Sequence, residues 1–159
     1  MIRLREAIPG DEAALLALLR GLAEYERLLP RFQATEAGLA AALFGPRPVA
    51  QAVLAEEAEG QALGMALWHR TFSTFACRTG FFLEDIFVRP EARGRAIGRM
   101  LFRDLARRLA AEGGESITWA VLGWNRPALD FYRGLGAEAE DDEWTRMRLR
   151  GPALERLTG

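Results

Sequence analysis

Residues 81–88 form an apolar run that passes through a Pro- and Gly-punctuated connection into a helical stripe of Ile97, Met100, Leu101, Leu105 and Leu109. Gly113 and Gly114 end that stripe, and residues 117–122 read as a further strand. Strand, long helix and strand in this order make a β-α-β crossover. Such a unit pairs its strands in parallel and lays the helix on one sheet face.

The remaining segments extend the same sheet. Residues 2–7 alternate apolar and polar, and Asp11 after the Pro9-Gly10 turn suits a helix N-cap. Leu15, Leu18, Leu19 and Leu22 then follow at helical spacing to about Leu28, and Pro30 stops that helix. Thr35 can cap a second helix that ends near Gly45. Residues 49–56 and 62–71 read as two strands around a Glu59-Gly60 turn, residues 125–133 as a short helix, and residues 144–149 as a final strand. The expectation is one domain over residues 1–159, α/β in class, with a mixed central sheet flanked by helices.

Composition narrows the function classes. The 159 residues carry 21 basic and 22 acidic side chains, a net charge of -1, which argues against a general nucleic-acid binder. All of the bases are arginine. A single cysteine, Cys77, rules out an internal disulfide, and one histidine, His69, leaves no zinc cluster to assemble, so no metal is expected. No signal peptide and no 18-residue apolar run is visible, so the reading is a cytoplasmic protein with no membrane partner.

The near-neutral total hides an uneven distribution. Residues 89–108 hold seven arginines against Glu91 and Asp104, whereas residues 138–143 hold five acids and no base. The first segment suits a polyanion. The second reads as a solvated turn that adds attraction for polycations.

Within residues 89–99, small residues let consecutive backbone N–H groups converge on an anion at a helix start, and arginines can fork onto phosphate oxygens. A tight turn with a solvated arginine face is the alternative, and Arg95, Arg99, Arg103 and Arg107 recur every four residues as a surface stripe would. The lack of a Lys-Ser/Thr ending excludes a P-loop, and the dinucleotide pattern G-x-G-x-x-G is absent. In the preceding strand, Glu84 and Asp85 interrupt an apolar run. Neighbours on a regular strand face opposite ways, so at least one acid points toward a site or the interior, and a β-bulge can redirect the other. Burial beside Phe81, Phe82 and Phe87 favours the neutral acid, unless the acids form an ion pair with an arginine.

Arg93, Ala96 and Gly98 occupy the three positions of the pattern Arg/Gln-x-x-Gly-x-Gly/Ala, and with them the loop resembles the coenzyme A pyrophosphate loop of the GNAT acetyltransferases. Further segments extend the resemblance to the spermidine/spermine, or diamine, N-acetyltransferase branch: Ala23-Glu24-Tyr25-Glu26, Ser73-Thr74-Phe75, the strand around Glu84-Asp85, Trp124-Asn125-Arg126-Pro127, and the run from Phe131 through Gly136 to Ala137. Ala96 replaces the usual glycine, and Gly123 stands where this branch often has an acid.

The resemblance implies a GNAT fold and transfer of an acetyl group from acetyl-CoA directly to a primary amine. It implies pyrophosphate contact from Arg93, Gly94, Arg95, Ala96, Ile97, Gly98 and Arg99, and contact of the cofactor arm with Ile86, Phe87, Val88 and Asn125. Glu84 matches the acid that helps remove the amine proton, and Tyr132 the general acid for the leaving thiolate. Tyr25, Glu26, Glu84, Asp85 and Trp119 match substrate-side positions, although Trp119 also suits a core and Glu24 can pair with Arg27 at the helix end. His69 reads as structural, and Cys77 has no activating surroundings. The acceptor implied is a small diamine, a polyamine or a lysine-like amino acid; another amine, or an acyl-CoA-binding domain without turnover, is the alternative. The same resemblance implies a homodimer through the C-terminal strand region.

Overall fold

A computed structural model describes residues 1–140 and 145–157. It divides into two compact units, residues 1–124 and residues 125–159.

The first unit is built on a five-stranded sheet in the order β1-β2-β3-β4-β5: β1 (Arg3–Glu6), β2 (Gln51–Glu56), β3 (Ala62–Ser73), β4 (Arg78–Val88) and β5 (Ser116–Thr118). The first four strands pair antiparallel, and β5 joins β4 in parallel. The sheet is therefore mixed, and the predicted crossover is present, carried by helix α3 (Ile97–Ala111). Helices α1 (Glu12–Tyr25) and α2 (Glu36–Phe44) precede β2, and Thr35 Oγ1 caps α2 by accepting from the Gly38 N–H. Asp11 precedes α1 without a side-chain cap to the helix; its carboxylate takes Arg5 and the Ile8 N–H instead.

Strand alternation divides the core into two layers. Leu54, Met65, Leu67 and Phe87 face α1 and α2, where Leu15, Leu18, Leu39 and Leu43 are buried against them. On α3, the apolar stripe of Ile97, Leu101, Phe102, Leu105 and Leu109 is buried, with Met100 half-buried at its margin. The helix packs on β2, β3 and β4. Trp68 faces this layer, since the Arg108 guanidinium of α3 lies 5.7 Å from its ring centroid. At the sheet edge, Arg3 and Arg5 of β1 reach the buried Glu56 at 2.5 and 3.0 Å and hold its carboxyl below the ordinary range.

Two sequence expectations differ in extent. The strand expected over residues 117–122 covers only Ser116–Thr118, because β4 and β5 separate beyond Phe82 and leave residues 119–122 without a ladder. The final strand expected over residues 144–149 does not form at residues 145–149, which lie outside regular structure; Trp144 and part of the acidic run, residues 141–143, lie outside the described residues.

The second unit contains α4 (Arg126–Arg133) and α5 (Pro152–Glu155). Asn125 caps α4, its Oδ1 accepting from the Ala128 N–H at 3.3 Å, and Pro127 lies in the first turn where its missing donor has no intrahelical role. Among the described residues, no helix is long and apolar enough to cross a membrane.

Candidate functional site

The site is organised by one irregularity in β4. Leu67 pairs with Asp85 and the next residue, Trp68, pairs with Leu83, so Glu84 is the extra residue of a β-bulge. A regular strand would send Glu84 and Asp85 to opposite faces. With the bulge they share one. Asp85 lies opposite Leu67 on the α1 face, and Glu84 Oε1 stands 3.1 Å from Nε2 of His69, two residues along β3 on that face.

The two acids differ in environment. Glu84 is half-exposed, and its partner is His69 rather than the arginine that sequence reasoning considered. The His69 ring stacks on Phe82 at 5.5 Å, and its Nδ1 meets the Arg70 carbonyl at 3.1 Å. Asp85 is largely buried. Desolvation first, then the charges of Glu84 and Glu26, push its carboxyl up to about 6. The shift toward the neutral acid expected for the pair thus falls on Asp85.

Glu26 arrives from the end of α1. A Cβ built at Gly21 would stand 3.0 Å from the Phe87 ring, so the absence of a side chain lets α1 lie close on β4. Burial raises the Glu26 carboxyl as well. Tyr25, beside it, faces Trp124 with ring centroids 6.1 Å apart. Three carboxyls and two aromatic rings therefore gather where α1 ends, an arrangement suited to a cationic amine. Glu24, which the alternative reading of the helix end paired with Arg27, lies 3.6 Å from Arg20.

Beyond the bulge, β4 has a free edge. β5 pairs with β4 only over Gly80–Phe82, so residues 84–88 have no strand on that side among the described residues. The Arg89 N–H bonds Leu63 O of β3 at 2.8 Å, whereas Val88 O accepts from Arg93 Nε at 3.3 Å and so faces away from β3. By alternation the N–H groups of Ile86 and Val88 lie on the free edge, available to amides or to a developing oxyanion. Phe87 points into the α1–α2 layer and offers only its backbone.

At the end of this edge stands the arginine-glycine loop. Gly94 has φ +77 with no atom within 4 Å of a built Cβ, and Ala96 has φ +60. Ala96 is the N-cap of the 15-residue α3 and supplies no side-chain cap, which leaves the first-turn N–H groups of Ile97, Gly98 and Arg99 to an external acceptor. Ile97 itself is buried; its side chain anchors the helix. Arg95 is paired with Glu57 at 2.6 Å, and Arg93 lies 4.8 Å over the Tyr25 ring. Arg99, Arg103 and Arg107 are exposed. A pyrophosphate fits this uncapped, arginine-flanked helix start.

Trp119 lies past the end of β5 and meets Phe102 of α3 edge-on at 5.2 Å. Cys77 is exposed in the β3–β4 turn with φ +55. In the second unit, Tyr132 lies on α4 two turns after Asn125 and is half-buried, 5.5 Å from the Phe131 ring. Sequence reasoning set His69 aside, and missed Trp124 as a ring partner of Tyr25. The β3–β4 hairpin register was the signal that would have set His69 against Glu84.

Residues 18–137 match the Acetyltransferase (GNAT) family. The chain is 36% identical to a thialysine N-epsilon-acetyltransferase of Bos taurus, over 99% of this chain and 98% of that protein. An L-ornithine acetyltransferase of Arabidopsis thaliana is 28% identical over 98% of this chain and 87% of its own length. Among solved structures, an integron cassette protein of V. cholerae superposes with a TM-score of 0.78 at 24% identity, over 99% of this chain and 97% of that one, a likeness of fold.

Proposed function

The chain belongs to the GNAT acetyltransferase family and is an acyltransferase, and from that premise we propose that it acetylates the terminal amine of a lysine-like amino acid or small diamine, with acetyl-CoA as co-substrate. The observation that carries the reading is β4 itself. One strand offers paired acids at a bulge, a free backbone edge after them and an uncapped helix start beyond. The names of the thialysine and ornithine relatives support the acceptor class.

Acetyl-CoA supplies an activated acetyl thioester. Its pyrophosphate is held by the N–H groups from Gly94 to Arg99 and by the guanidiniums of Arg93, Arg95 and Arg99. The N–H groups of Ile86 and Val88 orient the cofactor arm and receive negative charge at the acyl oxygen. The family resemblance adds Asn125 as a contact of that arm.

Glu26, Glu84 and Asp85 draw the protonated amine to the end of α1, against Tyr25. The carboxyl pair takes the amine proton, and Asp85, titrating at about 6, is the better matched base near neutral pH. Glu84 passes the proton or holds the water that does. Tyr132 Oη holds the proton that restores the thiol. Orientation of two bound substrates contributes most of the acceleration.

The proposal extends to one domain over the whole chain, on its length, to the cytoplasm, on the sequence reading above, and to a homodimer, on the family resemblance. Thiol release from acetyl-CoA with L-lysine, L-ornithine, thialysine and diamines tests the reading. Coenzyme binding with no release across that panel would overturn it.

A further inference from the structure

Arg27 ends α1 in a conformation that only glycine adopts freely. Its φ is +59, fixed by its own N–H to Glu24 O at 3.1 Å and by the Leu28 N–H to Ala23 O at 2.8 Å. This is the C-terminal stop of a helix, where glycine is the usual residue. A side chain here carries backbone strain, and such strain persists where surrounding structure or function holds it.

The side chain is held on an aromatic wall. The Arg27 guanidinium carbon lies 5.6 Å from the Trp124 ring centroid, and Trp124 also neighbours Tyr25, which in turn carries Arg93 at 4.8 Å. Two adjoining rings thus lie between two guanidiniums, Arg27 on Trp124 and Arg93 on Tyr25. Arg27 is exposed, and among the described residues no carboxylate pairs with it, although Glu26 is its chain neighbour and the Glu26 charge acts on Asp85. Glu26, whose charge reaches Asp85, and the Arg27 guanidinium are chain neighbours at the end of α1 and opposite in sign.

We infer that Arg27 is a specificity-determining residue that binds the α-carboxylate of an amino-acid acceptor while the acids at the bulge take its side-chain amine. This inference rests on the amine acceptor proposed above and divides its two members. A guanidinium forks onto a carboxylate, and a charge-assisted pair on an aromatic surface is strengthened by partial exclusion of water. A diamine of the same length presents a second ammonium at that point, and like charges repel. Arg27 thereby attracts one class and rejects the other.

L-Lysine and 1,5-diaminopentane isolate this term, because they share chain length and distal amine and differ by the carboxylate. The measurement is kcat/KM for both, with acetyl-CoA saturating, in the full-length protein and in Arg27→Gln, Arg27→Lys and Arg27→Gly. The original chain is expected to prefer lysine. Arg27→Gln is expected to lower the lysine-over-diamine ratio at least ten-fold, chiefly through the lysine KM, and Arg27→Lys to restore part of it.

Arg27→Gly guards against a folding artefact, since glycine accepts the positive φ. It should show the same loss of ratio without a lower thermal midpoint. A ratio unchanged in Arg27→Gln and Arg27→Gly, or an original chain that prefers the diamine, overturns the inference alone. Turnover of neither compound, nor of any other amine, overturns the acetyltransferase reading beneath it.

Discussion

Glu84 Oε1 lies 3.1 Å from His69 Nε2 across the β3–β4 ladder, while the next residue, Asp85, is the less exposed of the two on the same face of the sheet. A one-residue bulge creates this pairing of a wet acid with a dry one. The dry acid holds its proton more tightly, and the wet one has a route to solvent.

Asp85 is costly to the fold when ionised. Its pKa in the folded chain, about 6, lies above the ordinary 3.8, so the folded state binds the proton more tightly and stability falls as pH rises from about 4 to about 6. Asp85→Asn removes that cost at higher pH. Urea unfolding at pH 8 should show a gain of at most about 3 kcal/mol, the free-energy equivalent of the shift, alongside a loss of kcat. No gain at pH 8 would remove burial as the cause of the shift.

Glu84→Gln is expected to lower kcat most at the acidic end of the pH range, where more of the amine enters protonated. The pH–rate profile is the readout. A profile parallel to that of the original chain takes Glu84 out of the proton route and leaves Asp85 alone in it.

Ala96 holds φ +60, a region that costs a residue with a Cβ about 1 kcal/mol. Ala96→Gly should relieve that strain and remove a methyl group from the anion's approach. Calorimetric titration with coenzyme A is expected to show several-fold tighter binding, together with a raised thermal midpoint. Weaker binding would mean that the methyl orders the loop rather than obstructs it.

Tyr132→Phe deletes one hydroxyl and keeps the ring packed on Phe131. Turnover should fall at least ten-fold with coenzyme affinity unchanged, since general acid catalysis is worth that much or more. Equal turnover would end its assignment as proton donor.

Much of this was legible from residue order. The crossover from residues 81–88 through Ile97 and Leu109 reads directly, because helix and strand periods are local properties. Thr35 and Asn125 announce their caps for the same reason. The exact position of the bulge is not local. It depends on which residue of β3 faces which residue of β4, and that register sets Glu84 against His69 and Asp85 opposite Leu67. Likewise, nothing in the spacing of Tyr25, Arg27 and Trp124 brings them together; tertiary packing does. The shortness of β5 comes from its parting from β4, which the apolar run over residues 117–122 conceals.

The central claim is that the strand from Glu84 to Val88 and the loop after it support acetyl transfer to a small amine. Its most direct test is thiol release from acetyl-CoA by the purified chain with L-lysine, thialysine, L-ornithine and their diamines. Amine-dependent release, lowered in Asp85→Asn and, most at the acidic end of the pH range, in Glu84→Gln, is the result predicted. Tight coenzyme binding with no release for any of these amines would contradict it.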